Sequence, residues 1–201
     1  MNNSILLKKI FVFLFFVCPS FLIFSQTYSE PFWNQELPIN IRVRDLLTRL
    51  TLEEKISFLM ETSPGVPRLG VPKYYMGNEA LHGVVRPGKF TVFPQAIGLA
   101  STWNSELMYR VATAISDEAR GRWNELEQGK LQRDLYSDLL VFWSPNINLA
   151  RDSRWGRTQE TYGEDPFLTS RFAVAFIKGL QGSDKNYLKV VATPNSGWGL
   201  Q

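Results

Sequence analysis

Two short apolar runs do most to limit the fold of this chain: "LLVFWSP" at residues 139–145 and "YLKVVATP" at 187–194. The first is continuously apolar, as a strand covered on both faces should be, and both have strand length. Between them Asp165 precedes Pro166, and Leu168, Phe172 and Phe176 follow at helical spacing. An aspartate-capped helix starting at Pro166 is therefore predicted between two strands. Parallel neighbours need such a crossover, so the pattern points to a parallel α/β sheet.

The remaining elements agree with that class. Val43, Leu46, Leu47 and Leu50 predict a helix over 42–50, and Thr51 with Glu54 makes a capping box for a second helix reaching about residue 60. "TSPGVPRLGVP" is a loop, and "KYYM" at 73–76 reads as a first, short strand. Asn104 can cap a long helix over 105–126, with Leu107, Val111, Ile115, Ala119 and Trp123 on one face.

The amino terminus reads differently. Lys8 and Lys9 precede an apolar run at 10–24, and Ser25 offers a small residue for cleavage, so residues 1–25 are expected to be a secretory signal peptide. The run is shorter than the roughly 20 residues that span a bilayer, and Pro19 interrupts it. An uncleaved anchor is the alternative, as is lipid attachment at Cys18, although Val17 is large for the site before a lipidated cysteine. Export to the periplasm or the medium is the expectation.

Cleavage there would remove two lysines and no acid, taking the formal charge from +3 to +1. A near-neutral chain has no electrostatic footprint for nucleic acid. The single cysteine would leave too, which excludes a disulfide or thiolate chemistry, and one histidine, His82, is too few for an ordinary zinc site. Neither a metal nor another cofactor is expected, and no membrane partner after cleavage.

In parallel sheets and barrels, ligands sit at the carboxyl ends of strands. Asn78 and Glu79 follow the first strand, and "RDSRWGRTQETYGEDP" at 151–166 follows the second. Arg151, Arg154 and Arg157 recur every third residue, with Trp155 between them. A guanidinium fork can hold adjacent hydroxyls or a carboxylate, and an indole suits the C–H face of a sugar ring. Glu160, Glu164 and Asp165 can orient the arginines. The plainer reading is an ion-pair network that staples a loop. Glu79 can accept ligand hydroxyls or simply cap a turn, and His82 can act as a base or hold a backbone group. "GVVRPGKF" at 83–90 imitates a phosphate loop, but Phe90 stands where a hydroxyl is needed and Pro87 removes a donor, so no nucleotide site is expected.

The segments "GNEALHGVVRPGKFTVFPQAIGLASTWN", "FWSPNINLARDSRWGRTQETYGEDPFLTS" and "FIKGLQG" together resemble the amino-terminal domain of family 3 glycoside hydrolases. The likeness runs from about Pro31 to Pro194. It implies a (β/α)8 TIM-like barrel and hydrolysis of terminal non-reducing β-D-glucosyl or β-D-xylosyl residues by a retaining exo-glycosidase, with a β-linked oligosaccharide or small glycoside as partner. By the same likeness Glu79 and Arg157 hold the sugar, while Arg151, Arg154, Trp155 and Glu160 are candidates for support. Glutamate in the "NEALHG" context is similar to the xylosidase-leaning branch, and both sugars stay open.

The likeness stops after Pro194. The family has a Lys-His pair there, where this chain has Asn195 and Ser196. A complete barrel takes about 250 residues. Residues 26–201 are thus expected to form only the first part of the barrel. The family's aspartate nucleophile and glutamate acid/base would lie beyond the chain end, leaving the chain itself inactive. A non-catalytic sugar-binding fragment and a non-functional truncated product are the other two readings.

Overall fold

The structure, a computed structural model, describes residues 29–132 and 139–195. The expected signal peptide and Ser196 lie outside the described residues. The backbone forms two compact units, divided between Arg49 and Leu50.

In the first unit a 3-10 turn, Pro31–Trp33, precedes helix α1, Ile39–Arg49, which begins three residues earlier than the spacing predicts. The two are tied by polar contacts. The Phe32 N–H donates to Asp45 at 3.2 Å, and Arg42 Nε donates to the Phe32 carbonyl at 3.0 Å. Arg49 pairs with Asp45 at 2.9 Å.

The second unit opens with α2, Leu52–Ser57, on the expected capping box: Glu54 N–H donates to Thr51 Oγ1, and Thr51 N–H to Glu54 Oε2. Next come β1, Thr62–Ser63, and β2, Tyr74–Tyr75, paired antiparallel. This corrects the first strand. Residues 73–76 are not part of the parallel sheet but fold back on 62–63. The cause is the Pro/Gly-rich link, where Val66 N–H donates to the Val71 carbonyl at 2.8 Å and closes a tight turn.

Helix α3, Ala96–Ala100, follows, an element too short for periodicity to show. Helix α4, Ser105–Glu127, starts as predicted, with Asn104 Oδ1 accepting the Leu107 N–H at 2.9 Å. Val111, Ile115 and Ala119 of the predicted face are buried. Strand β3, Val141–Phe142, helix α5, Pro166–Gln181, and β4, Val191–Ala192, then make a β-α-β unit with parallel strands. Asp165 caps α5, accepting from the N–H groups of Phe167 and Leu168 at 3.1 and 3.0 Å.

Parallel pairing extends past these strands. Asn78 bridges Phe142 on one side, and Asn146 bridges Asn195 on the other. The order across the sheet is thus Asn78, β3, β4, and the first parallel segment is the residue just before Glu79. The second apolar run is shorter as a strand than its sequence suggests. Asp184 Oδ1 accepts the N–H groups of Asn186 and Tyr187, which turns the start of that run out of the sheet.

Phe142, Ile115, Phe172, Phe176 and Leu180 are all but fully buried in one core. Each such side chain contributes about 1.5–3 kcal/mol. Helices α4 and α5 approach closely at Gly179, whose carbonyl accepts from Ser116 Oγ at 3.0 Å. The described residues supply a β-α-β unit with one further parallel neighbour, and a closed barrel is not among them.

Candidate functional site

All three parallel segments end on the same edge, and Glu79 and the loop bearing Arg157 and Glu160 follow two of them. Glu79 directly follows Asn78. Asn78 is fully buried, its carbonyl accepts the Trp143 N–H at 2.8 Å, and its Nδ2 donates to the Val141 carbonyl at 2.9 Å. On the other side of Glu79, the Ala80 N–H donates to the buried Ser144 Oγ at 3.1 Å. The backbone of Glu79 is thereby held between two links to β3 and the residues just past it. Gly83 closes the following loop with φ +126, and a Cβ there would lie 2.3 Å from the Thr91 carbonyl oxygen. Only glycine fits that position.

Arg157 comes from the loop after β3. Its Nε donates to both oxygens of Glu160, at 2.9 and 3.0 Å, and its Nη2 to Oε2 at 2.5 Å. Glu160 also accepts from the buried Asn146 at 3.3 Å. The loop is secured beneath by Tyr162, whose ring packs 5.8 Å from that of Phe172. The Ala150 N–H closes it by donating to the Gly163 carbonyl at 3.0 Å.

The electrostatics join these pieces. Burial pushes the half-buried Glu79 carboxyl up to about 7, and the negative charge of Glu160 adds to the rise, while Arg86 and Arg157 pull it down. Arg157 holds Glu160 below the usual carboxylate range through their hydrogen bonds, and Glu160 in turn raises Arg157. The result is an ionised Arg157–Glu160 pair whose charges act on a carboxyl that changes charge near neutrality. Such a set can accept hydroxyl hydrogens at Glu79 and donate to hydroxyl oxygens from Arg157.

The other predicted residues are placed as follows. Arg154 is exposed and folded onto Asp152, with Nη2–Oδ2 at 2.6 Å, so it braces its own turn and not the Glu79 group. Arg151 is exposed at the surface of the loop. Trp155 is half-buried, its N–H donating to the Asp152 carbonyl at 3.1 Å. The His82 carbonyl accepts from Phe93 at 2.8 Å, while ring Nδ1 is buried without a hydrogen-bond partner among the described residues. Residues 83–90 lead into no helix, and the next one starts at Ala96. Asn195 continues the line of β4 and bridges Asn146, which puts it on the site's edge. Sequence reasoning missed Arg86 and Asn146. Asn146 stands immediately past the strand in "FWSPN", a signal that could have found it, whereas Arg86 sits in a loop with no periodic cue.

Taken together, the described elements define an α/β domain carrying an acid–guanidinium rim at the carboxyl ends of its parallel strands. The glycosyl hydrolase family 3 N-terminal domain matches residues 41–194, and the chain belongs to that family. It is 44% identical over 169 residues to the xylan 1,4-beta-xylosidase of Xylanibacter ruminicola, covering 84% of this chain and 20% of that protein. It is 48% identical over 174 residues to beta-D-xylosidase 3 of Arabidopsis thaliana, covering 80% and 21%. Among solved structures it is similar to a GH3 exo-beta-xylosidase in complex with a xylobiose aziridine activity-based probe. That match has a TM-score of 0.66 at 35% identity and covers 81% of this chain and 21% of the other. The beta-glucosidase of Kluyveromyces marxianus in complex with glucose matches with a TM-score of 0.54 at 26% identity, over 69% and 16%. The chain spans about a fifth of the length of the curated relatives it matches.

Proposed function

We propose that these residues form part of the sugar pocket of a retaining exo-glycosidase acting on terminal non-reducing β-D-xylosyl or β-D-glucosyl residues. Glu79 and Arg157 are the sugar ligands, and Glu160 keeps the Arg157 fork in place. The observation that carries the reading is the half-buried Glu79 carboxyl, just past a parallel segment, under the charges of the Arg157–Glu160 pair. A neutral polyol cannot balance a buried net charge, so a rim that matches one guanidinium with nearby carboxylates suits it. The xylosidase names of the relatives at 44–48% identity favour xylosyl over glucosyl.

In the retaining reaction a carboxylate attacks the anomeric carbon and a second carboxyl serves as acid and then base. The role assigned to the residues here is to hold the terminal ring in place for that attack. Positioning of this kind can account for a large part of a rate enhancement. Neither reacting carboxylate is assigned within the chain. We take holding the terminal ring to be the part these residues play, after export.

The experiment is a titration of the chain with xylose and with glucose. Binding should weaken at least about tenfold in both Glu79→Gln and Arg157→Met, the loss of one charge-assisted hydrogen-bonding group each. Equal affinity in wild type and both variants would remove the reading.

A further inference from the structure

We infer that Arg86 is a positioning residue for Glu79, one that pins the backbone from which the carboxylate projects and acts on a ligand only through it. The inference rests on the reading of Glu79 as a sugar ligand. Arg86 spreads its fork over the residues next to Glu79. Its Nε donates to Asn78 Oδ1 at 2.8 Å, Nη1 to the Val85 carbonyl at 2.8 Å, and Nη2 to the Gly77 carbonyl and, at 3.3 Å, to the Tyr75 hydroxyl. The Val85 N–H donates in turn to the Glu79 carbonyl at 3.0 Å. Residues 77–79 and 85–86 are thereby closed into one ring of hydrogen bonds that includes the Glu79 backbone.

Two features make an arginine specific to this place. Asn78 is fully buried and its amide nitrogen is taken by Val141, so its oxygen needs a donor from the other side, and Arg86 Nε supplies it. The Tyr75 ring lies 5.6 Å under the guanidinium, a flat support that suits a planar cation. A lysine would keep the charge but could not reach three directions in one plane. The charged groups that act on Glu79 are Glu160, Arg86 and Arg157, and Glu61 stands behind Tyr75, accepting its hydroxyl at 3.0 Å. Arg86 opposes the combined effect of burial and Glu160 on Glu79.

The test compares the wild-type chain with Arg86→Gln and Arg86→Lys. The Glu79 carboxyl is followed by carbon NMR from pH 4 to 9, its resonance assigned by its disappearance in Glu79→Gln, and xylose affinity is measured at pH 8. In Arg86→Gln the Glu79 midpoint should rise by about one unit, the size of a neighbouring-charge effect. In Arg86→Lys the midpoint should stay within about 0.3 unit while affinity falls about tenfold, since the charge remains and the fork is lost. An unmoved midpoint in Arg86→Gln overturns the inference, and so does wild-type affinity in Arg86→Lys. If Arg86→Gln loses its dispersed amide spectrum, Arg86→Lys decides by its affinity at a retained midpoint. A wild type that binds no xylose while the midpoint still moves in Arg86→Gln removes the sugar reading and supports the link between Arg86 and Glu79.

Discussion

Arg157 and Glu160, three residues apart in one loop, are locked together with both carboxylate oxygens engaged by Nε and a 2.5 Å contact from Nη2 to Oε2. The pair does two things at once. It fixes the direction of the arginine fork, and it sets a negative charge near Glu79 that favours protonation there. Glu160→Gln should therefore lower the Glu79 midpoint from about 7, by about one unit, and also weaken xylose binding through the freed Arg157. Carbon NMR of the Glu79 carboxyl checks the first part, and an unchanged midpoint would show that the two acids do not sense each other.

Glu79 also gives the fold a pH dependence of defined sign. Its carboxyl rises from 4.5 to about 7 on folding, so in that window the folded chain binds more protons than the unfolded one. Stability then falls as pH rises from about 4.5 to 7 and levels off above. Solvent reaches the half-buried group and moderates the effect. Glu79→Gln should accordingly unfold about 3 °C higher than wild type at pH 8 and at the same temperature at pH 4. Thermal melts at the two pH values decide it; a gain of equal size at both would point to packing and not to charge.

Asn78 ties the site to the sheet by side chain and main chain together. Asn78→Ala strands the Val141 carbonyl and takes away the acceptor of Arg86 Nε. The expected cost is about 2 kcal/mol, the penalty of an unmet buried polar group. Urea unfolding should show a lower midpoint at unchanged slope.

The α4–α5 contact leaves no room for a methyl group. A Cβ on Gly179 would lie 2.5 Å from the Tyr109 carbonyl oxygen and 2.7 Å from the Ala112 Cβ. Gly179→Ala should destabilise the chain by about 1–3 kcal/mol, despite the better helix propensity of alanine. The control is Gly121→Ala on the exposed face of α4, where no atom lies within 4 Å and denaturation should show a small gain.

Local chemistry was legible without coordinates wherever a short stretch suffices to decide an outcome. Thr51 with Glu54, Asn104, and Asp165 with Pro166 each mark a helix start, because the bonds they make close within three residues. The parallel relation of β3 and β4 followed from the helix between them, and Glu79 and the arginine-rich 151–166 loop stood out by residue type, while the choice of Glu79 and Arg157 as sugar ligands came from the family likeness. Three things needed the folded chain. Tyr74–Tyr75 left the parallel sheet for a hairpin, since the competition between two possible partners is decided by packing and not by strand propensity. Of three evenly spaced arginines, Arg154 turned back on Asp152 and Arg157 toward Glu160, a choice fixed by which carboxylate lay within reach. Arg86 came beside Glu79 only because the buried amide of Asn78, held across the sheet by Val141, turned its oxygen toward the one fork that could meet it.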